Sequence, residues 1–151
     1  MSKHKFSNWI AARIEDNDWA SIETYFNDTP FAQHMALDVR LDDPSRPKCM
    51  LRENQPFHTG GVGQDFVNGA VIAAIFDFVV GLTALPHASE GNFATTNVNV
   101  KFIKPVEQDG LYAVAECTRQ IGQKLFVEST LYNGQGDPCC FANGEVRVGI
   151  N

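Results

Sequence analysis

The chain has 151 residues, 44% apolar and 20% charged, enough for one folded domain with a sizeable core and too apolar for a disordered chain. Twelve bases against eighteen acids leave a net charge of -6, and no basic arm or stripe stands out, so nucleic acid is not an expected partner. Met1 to Trp9 is polar without an apolar signal region, and Cys49, Cys117, Cys139 and Cys140 make no C-x-x-C pair, which predicts reduced thiols in a cytoplasmic protein.

The N-terminal part reads as helical. Ile10, Arg13 and Ile14 suggest one short helix, Asp18 is the N-cap of a second carrying Trp19, Ile22 and Phe26, and Thr29-Pro30 stops it. Leu37, Val39 and Leu41 alternate with polar residues as in a strand, and after the turn 42–47 the segment Lys48 to Arg52 returns as a hairpin partner. A loop rich in glycine and polar residues follows, from Asn54 to Val67. Asn68 then caps an apolar helix that continues to Leu85 before Pro86. Its apolar residues go nearly all the way round, which predicts a central, buried helix, and the run is read as too short and interrupted for a membrane span. Thr96, Val98, Val100 and Phe102 begin a period-two pattern, followed by strands over Leu111–Arg119, Leu125–Tyr132 and Cys139–Val148 with short turns between them. The expected class is α+β, one antiparallel sheet wrapped against one helix.

From Phe66 through Ser89 the one formally charged side chain is Asp77. An ionised carboxylate in an apolar helix is costly to bury without compensation, so Asp77 either lies on a wet edge of the helix or is a general base or nucleophile tuned by its surroundings. Asn68-Gly69 opens the same helix, where unpaired N–H groups and the positive dipole end favour a developing oxyanion, and glycine admits a substrate carbonyl close to the backbone. Taken alone, Asn68-Gly69 is better explained by simple capping and turn geometry; the carboxylate further along the same helix favours the oxyanion reading. The histidines His4, His34, His58 and His87 show no metal-ligand spacing, and no metal site is expected. Gly60-Gly61-Val62-Gly63 is neither a P-loop nor a dinucleotide fingerprint, and no Gly-x-Ser-x-Gly elbow exists.

One long apolar helix inside an antiparallel sheet, in about 150 residues, resembles the hotdog fold, and in particular the acyl-CoA thioesterase branch typified by the phenylacetate-pathway thioesterases. That branch shows His-Gly-Gly with an Asp nine residues after the His; here Asn68-Gly69-Ala70 occupies the tripeptide and Asp77 stands at the same spacing. A strand of the type Ser/Thr-x6-aromatic-x-x-Pro follows, here Thr95 to Phe102 and Pro105, and Pro30-Phe31 leading into Ala36–Val39 is similar to the entry strand. The resemblance covers Thr29 to Val148. It implies a single hotdog domain over residues 1–151 with a helical extension over about 1–30, acting as a homodimer paired further into a homotetramer. It implies a thioesterase acting on a small or aromatic acyl-CoA, with coenzyme A as part of the substrate and no cofactor.

Carried over by position, Asp77 acts on water or on the thioester carbon, the Gly69 N–H polarises the thioester oxygen, and Thr95 holds the nucleophilic water. Asn68 replaces the usual histidine, keeping the capacity to cap but not an imidazole. The family's Asn six residues earlier is Val62 here, with Gln64 or Asn54 as substitutes. His58-Thr59-Gly60-Gly61 looks like a displaced His-Gly-Gly, and His58 is read as a loop histidine. Arg119 and Lys124 flank a turn where relatives hold the nucleotide, although solvated strand-end charges read equally well. Phe57, Phe66, Phe76 and Phe78 cluster around loop and helix and are candidates to line an acyl or aryl pocket, Phe66 first among them, with core packing the duty of most. The rivals are a hotdog protein that binds acyl-CoA or another ligand without hydrolysis, and a hydratase, which would want a histidine nearer to Asp77 than His87.

Overall fold

In the computed structural model, which describes residues 1–61, 63 and 65–149, three helices come first: α1 (Lys3–Glu15), α2 (Trp19–Asn27) and α3 (Pro30–Met35). Asp18 caps α2 as expected, its Oδ1 accepting the Ser21 N–H at 3.2 Å. Thr29-Pro30, expected only to stop α2, also starts α3. The Thr29 hydroxyl accepts from the Ala32 N–H, and Pro30 fills the first helical turn, where a missing N–H costs nothing. The helical part therefore runs to Met35, past the boundary expected near residue 30.

Six strands follow, β1 (Leu37–Arg40), β2 (Lys48–Leu51), β3 (Phe93–Phe102), β4 (Tyr112–Ile121), β5 (Lys124–Tyr132) and β6 (Pro138–Val148). They form one antiparallel sheet in the order β1-β2-β4-β5-β6-β3, so β3 is an edge strand with one side free. The β3–β6 register shifts between Thr95 and Asn97. Simple alternation placed Thr96 on the face of Val98. The bulge instead leaves Thr96 exposed, its hydroxyl on the Glu145 carbonyl at 3.2 Å, and turns Thr95 toward the helix.

That helix, α4 (Gly69–Leu82), packs against β2 to β6, completing the hotdog architecture. Val71, Ile72, Ile75, Phe76, Val79, Val80 and Leu82 are buried, each worth about 1.5–3 kcal/mol when fully removed from water. Where α4 crosses β6 the fit is tight: a Cβ on Gly144 would come within 2.9 Å of Val80 Cγ1 and 2.7 Å of the Asn97 carbonyl oxygen. The helix is not buried all round, contrary to the sequence pattern. Ala70 and Asp77 are exposed and Gly69, Ala73, Ala74, Phe78 and Gly81 half-buried, so one face of small residues is left open in the single chain. By length and composition the run Gly69–His87, 19 residues, would suffice to cross a membrane, contrary to the reading as too short. Here the α-helix ends at Leu82, and a 3-10 turn over Leu85–His87 follows.

Candidate active site

The start of α4 is built from both flanks. Asn68 adopts an extended backbone (φ -61°, ψ 138°), and its Oδ1 accepts the Ala70 N–H at 2.9 Å, so the side chain that replaces histidine is committed to capping. The Asn68 carbonyl takes the Val71 and Ile72 N–H groups at 3.0 and 3.2 Å. Among the described residues none accepts the Gly69 N–H, and no acidic side chain stands in the first turn to offset the dipole. Gly69 opens onto a cleft of about 430 Å³, lined notably by Phe66, Asn68, Ile72, Phe102 and Lys104. This cleft is apolar along its walls with one ammonium at its rim, which suits an acyl or pantetheine-like chain ending in anionic groups.

Asp77 lies elsewhere. It is eight residues along α4 from Gly69, about 12 Å at 1.5 Å per residue, and does not line the cleft. It stands on the wet edge of the helix rather than in apolar surroundings, and no cation among the described residues pairs with it. The helix runs antiparallel to β3: Gly69 faces Phe102 at one end, and a Cβ on Gly81 would sit 3.1 Å from Thr95 Oγ1 at the other. Gly81 is one turn beyond Asp77, so Thr95 meets α4 about one turn further along than Asp77, which stands near the middle of the helix.

Phe66 lines the Gly69 cleft, whereas Phe76 is fully buried core and Phe78 packs on Phe26 and Phe31. Lys124 is ion-paired with Glu145 at 3.3 Å, and Arg119 is exposed. Their turn pairs with the Arg147 end of β6 and so lies at the Phe93 end of β3. That is about 30 Å, the length of a ten-residue strand, from the Gly69 cleft of the same chain. Gln64 and Val62 lie outside the described residues. Asn54 is bonded to Asp109 rather than to the helix start. Lys104 is one of five cations after Asp65 that the sequence offers to anionic groups, with Lys101, Arg119, Lys124 and Arg147; its place just before Pro105 in the strand motif is the signal that marks it over Arg119 and Lys124.

His58 differs most from expectation. It is fully buried, its Nδ1 accepting the Gln55 N–H at 3.1 Å and its Nε2 lying 2.8 Å from the Met35 carbonyl. The cysteines are free thiols; burial pushes Cys49 far up, and Cys140 up to about 11.

With the geometry in place, relatives give the family. A family model described as "Thioesterase superfamily" matches residues 64–140, half of the chain. The chain belongs to the thioesterase superfamily. A Halobacterium salinarum protein provisionally named an esterase is 30% identical over 141 residues, covering 89% of each chain. Other curated relatives match over less: the chain spans 64% of a Thermoplasma acidophilum protein, also provisionally named an esterase, at 32% identity over 56% of this chain. It spans 28% of a rat acyl-coenzyme A thioesterase, at 37% identity over 44% of this chain. Among solved structures, the PaaI protein of Escherichia coli, from the phenylacetic acid degradation operon, superposes at TM-score 0.70 and 16% identity, over 87% of this chain and 93% of that one. A Bacillus halodurans protein solved with CoA superposes at TM-score 0.70 and 21% identity, over 100% and 97%. Both share the fold. The matched family is described by thioester hydrolysis.

Proposed function

We propose that the protein hydrolyses an acyl-CoA thioester with a small or aromatic acyl group, in a site shared between two copies of the chain. The observation that carries this is the split on α4: a Gly69 N–H with no acceptor among the described residues, over a cleft at the helix start, and an exposed carboxylate eight residues on, one turn before the glycine that faces Thr95. A base must reach the reacting centre directly or through one water, and about 12 Å is too far.

The free edge of β3, ten residues long, is a template for strand pairing. Antiparallel pairing of β3 with its copy about a two-fold axis lays α4 beside α4 through the small-residue face. The Gly69 of one chain then approaches the Asp77 and Thr95 of the other. The same operation carries the partner's strand ends, with their Arg119 and Lys124, toward the cleft they are remote from in a single chain. In this site Asp77 takes a proton from water held by Thr95, and the water oxygen bonds to the thioester carbon. The carbonyl electrons move onto oxygen, where the Gly69 N–H and the helix end stabilise them. Collapse restores the carbonyl, breaks the C–S bond, and the thiolate leaves with the proton returned from Asp77. The rat relative's printed name and the CoA in the Bacillus structure support coenzyme A as the carrier.

The test is thiol release from short, branched and aromatic acyl-CoAs, with subunit mixing. Asp77→Asn should fold normally and lose at least about a hundredfold in kcat. Mixing Asp77→Ala chains with Gly69→Trp chains, each inactive alone, should restore about a quarter of wild-type activity, since half the dimers are hybrids with one intact site. No recovery despite subunit exchange would refute the shared site.

A further inference from the structure

His58 is a buried imidazole that the chemistry above does not use, yet it is joined to the start of α4 by an unbroken set of hydrogen bonds. Its Nδ1 accepts the Gln55 N–H, so the ring hydrogen is on Nε2, which donates to the carbonyl of Met35, the last residue of α3. The chain turns there through Ala36 in the left-handed region, at φ 52°. The main-chain carbonyl of His58 itself accepts the Asn68 N–H at 2.7 Å. A bridge between Thr59 and Val67, with the Gly60 N–H on the Phe66 carbonyl at 3.3 Å, joins the segments on either side, and the Val67 N–H on the Val106 carbonyl at 2.8 Å ties them to the chain after β3. Burial alone would be met by leucine. A leucine would leave the Gln55 N–H and the Met35 carbonyl without their partner, a loss where water cannot replace it.

We propose that His58 is a positioning residue for the reaction: its ring, pinned between Gln55 and Met35, fixes the carbonyl that holds Asn68 and so the direction of the Gly69 N–H. This rests on the reading of Gly69 as oxyanion donor. Because that donor acts mainly on the transition state, misaligning it lowers kcat and leaves KM nearly unchanged, and about 1 Å of misplacement is worth up to a hundredfold.

The experiment is a double-mutant cycle read by thiol release, with melting temperature measured on every variant. His58→Leu removes both ring bonds. His58→Gln keeps a donor at the Nε2 position and His58→Asn an acceptor at the Nδ1 position, and these two carry the comparison if the leucine variant does not fold. Gly69→Pro removes the N–H being aimed. Expected are a ten- to hundredfold loss of kcat for His58→Leu with KM within about threefold, partial recovery in at least one amide variant, and less than about a twofold further loss when His58→Leu is added to Gly69→Pro. A lowered melting temperature with unchanged kcat, or a His58 loss that persists in full on the Gly69→Pro background, overturns the positioning role. Gly69→Pro with normal kcat overturns the oxyanion reading and this proposal together. Gly69→Pro impaired with every His58 variant normal in kcat overturns this proposal alone.

Discussion

Gly69→Pro isolates one hydrogen atom. Gly69 is the first residue of α4, where proline is favoured because its N–H has no partner within the helix. Asn68 before it is extended, at ψ 138°, the conformation that a following proline requires. A Cβ at position 69 would meet only Phe102, 3.4 Å from Cε1 and 3.5 Å from Cζ, ordinary contact distances. Folding therefore loses no hydrogen bond, and replacing glycine by a residue that fits the backbone stabilises by about 0.4–1 kcal/mol through the unfolded chain. The melting temperature should stay level or rise by a few degrees. Catalysis should lose an oxyanion donor, roughly a hundred- to thousandfold in kcat or about 2.7–4 kcal/mol. Gly69→Ala supplies the control, adding the same Cβ while keeping the N–H, and should retain kcat within about fivefold. Thiol-release kinetics on both variants, with CoA affinity by titration to detect a blocked cleft, decide the matter. Proline with full kcat, or proline and alanine equally impaired, would refute the role given to the Gly69 N–H.

Lys104→Ala should raise KM several-fold for acyl-CoA with little change in kcat, because its ammonium rims the cleft away from Asp77; an unchanged KM would make it a solvated charge. Gly144→Ala forces a Cβ against the Asn97 carbonyl and Val80, costing about 1–3 kcal/mol of overpacking and roughly 2–12 °C in melting temperature by calorimetry. Burial keeps the Cys49 and Cys140 thiols protonated at pH 7, with thiolate formation at Cys140 delayed until the pH nears about 11, so a thiol reagent on native protein should label the half-buried Cys117 ahead of both.

The central helix, its Asn68 cap, the spacing from Gly69 to Asp77 and the four long strands were all legible in the residues, because each rests on interactions a few residues apart. Helical and strand periods follow from backbone geometry, and a cap needs only its own helix turn. The proposal of a site shared with a second chain also rests on this local information, since the rise of a helix already separates Gly69 from Asp77. The third helix is a near miss: Thr29-Pro30 ends one helix and begins the next with the same residues.

Other features depend on residues that meet from distant parts of the chain. Thr95 faces α4 because a bulge in the pairing with β6 reverses the alternation around it, and register is settled between strands. Asp77 is exposed because the sheet covers only one side of α4, so an apolar pattern that looks all-round leaves one face open. Arg119 and Lys124 sit at the end of the sheet opposite the Gly69 cleft because β4 and β5 turn at the Phe93 end of β3. His58 is buried because Met35, Gln55 and Asn68 close around it from three segments. Local stereochemistry writes the elements and their caps into the sequence; burial, facing and proximity arise when those elements exclude water from one another.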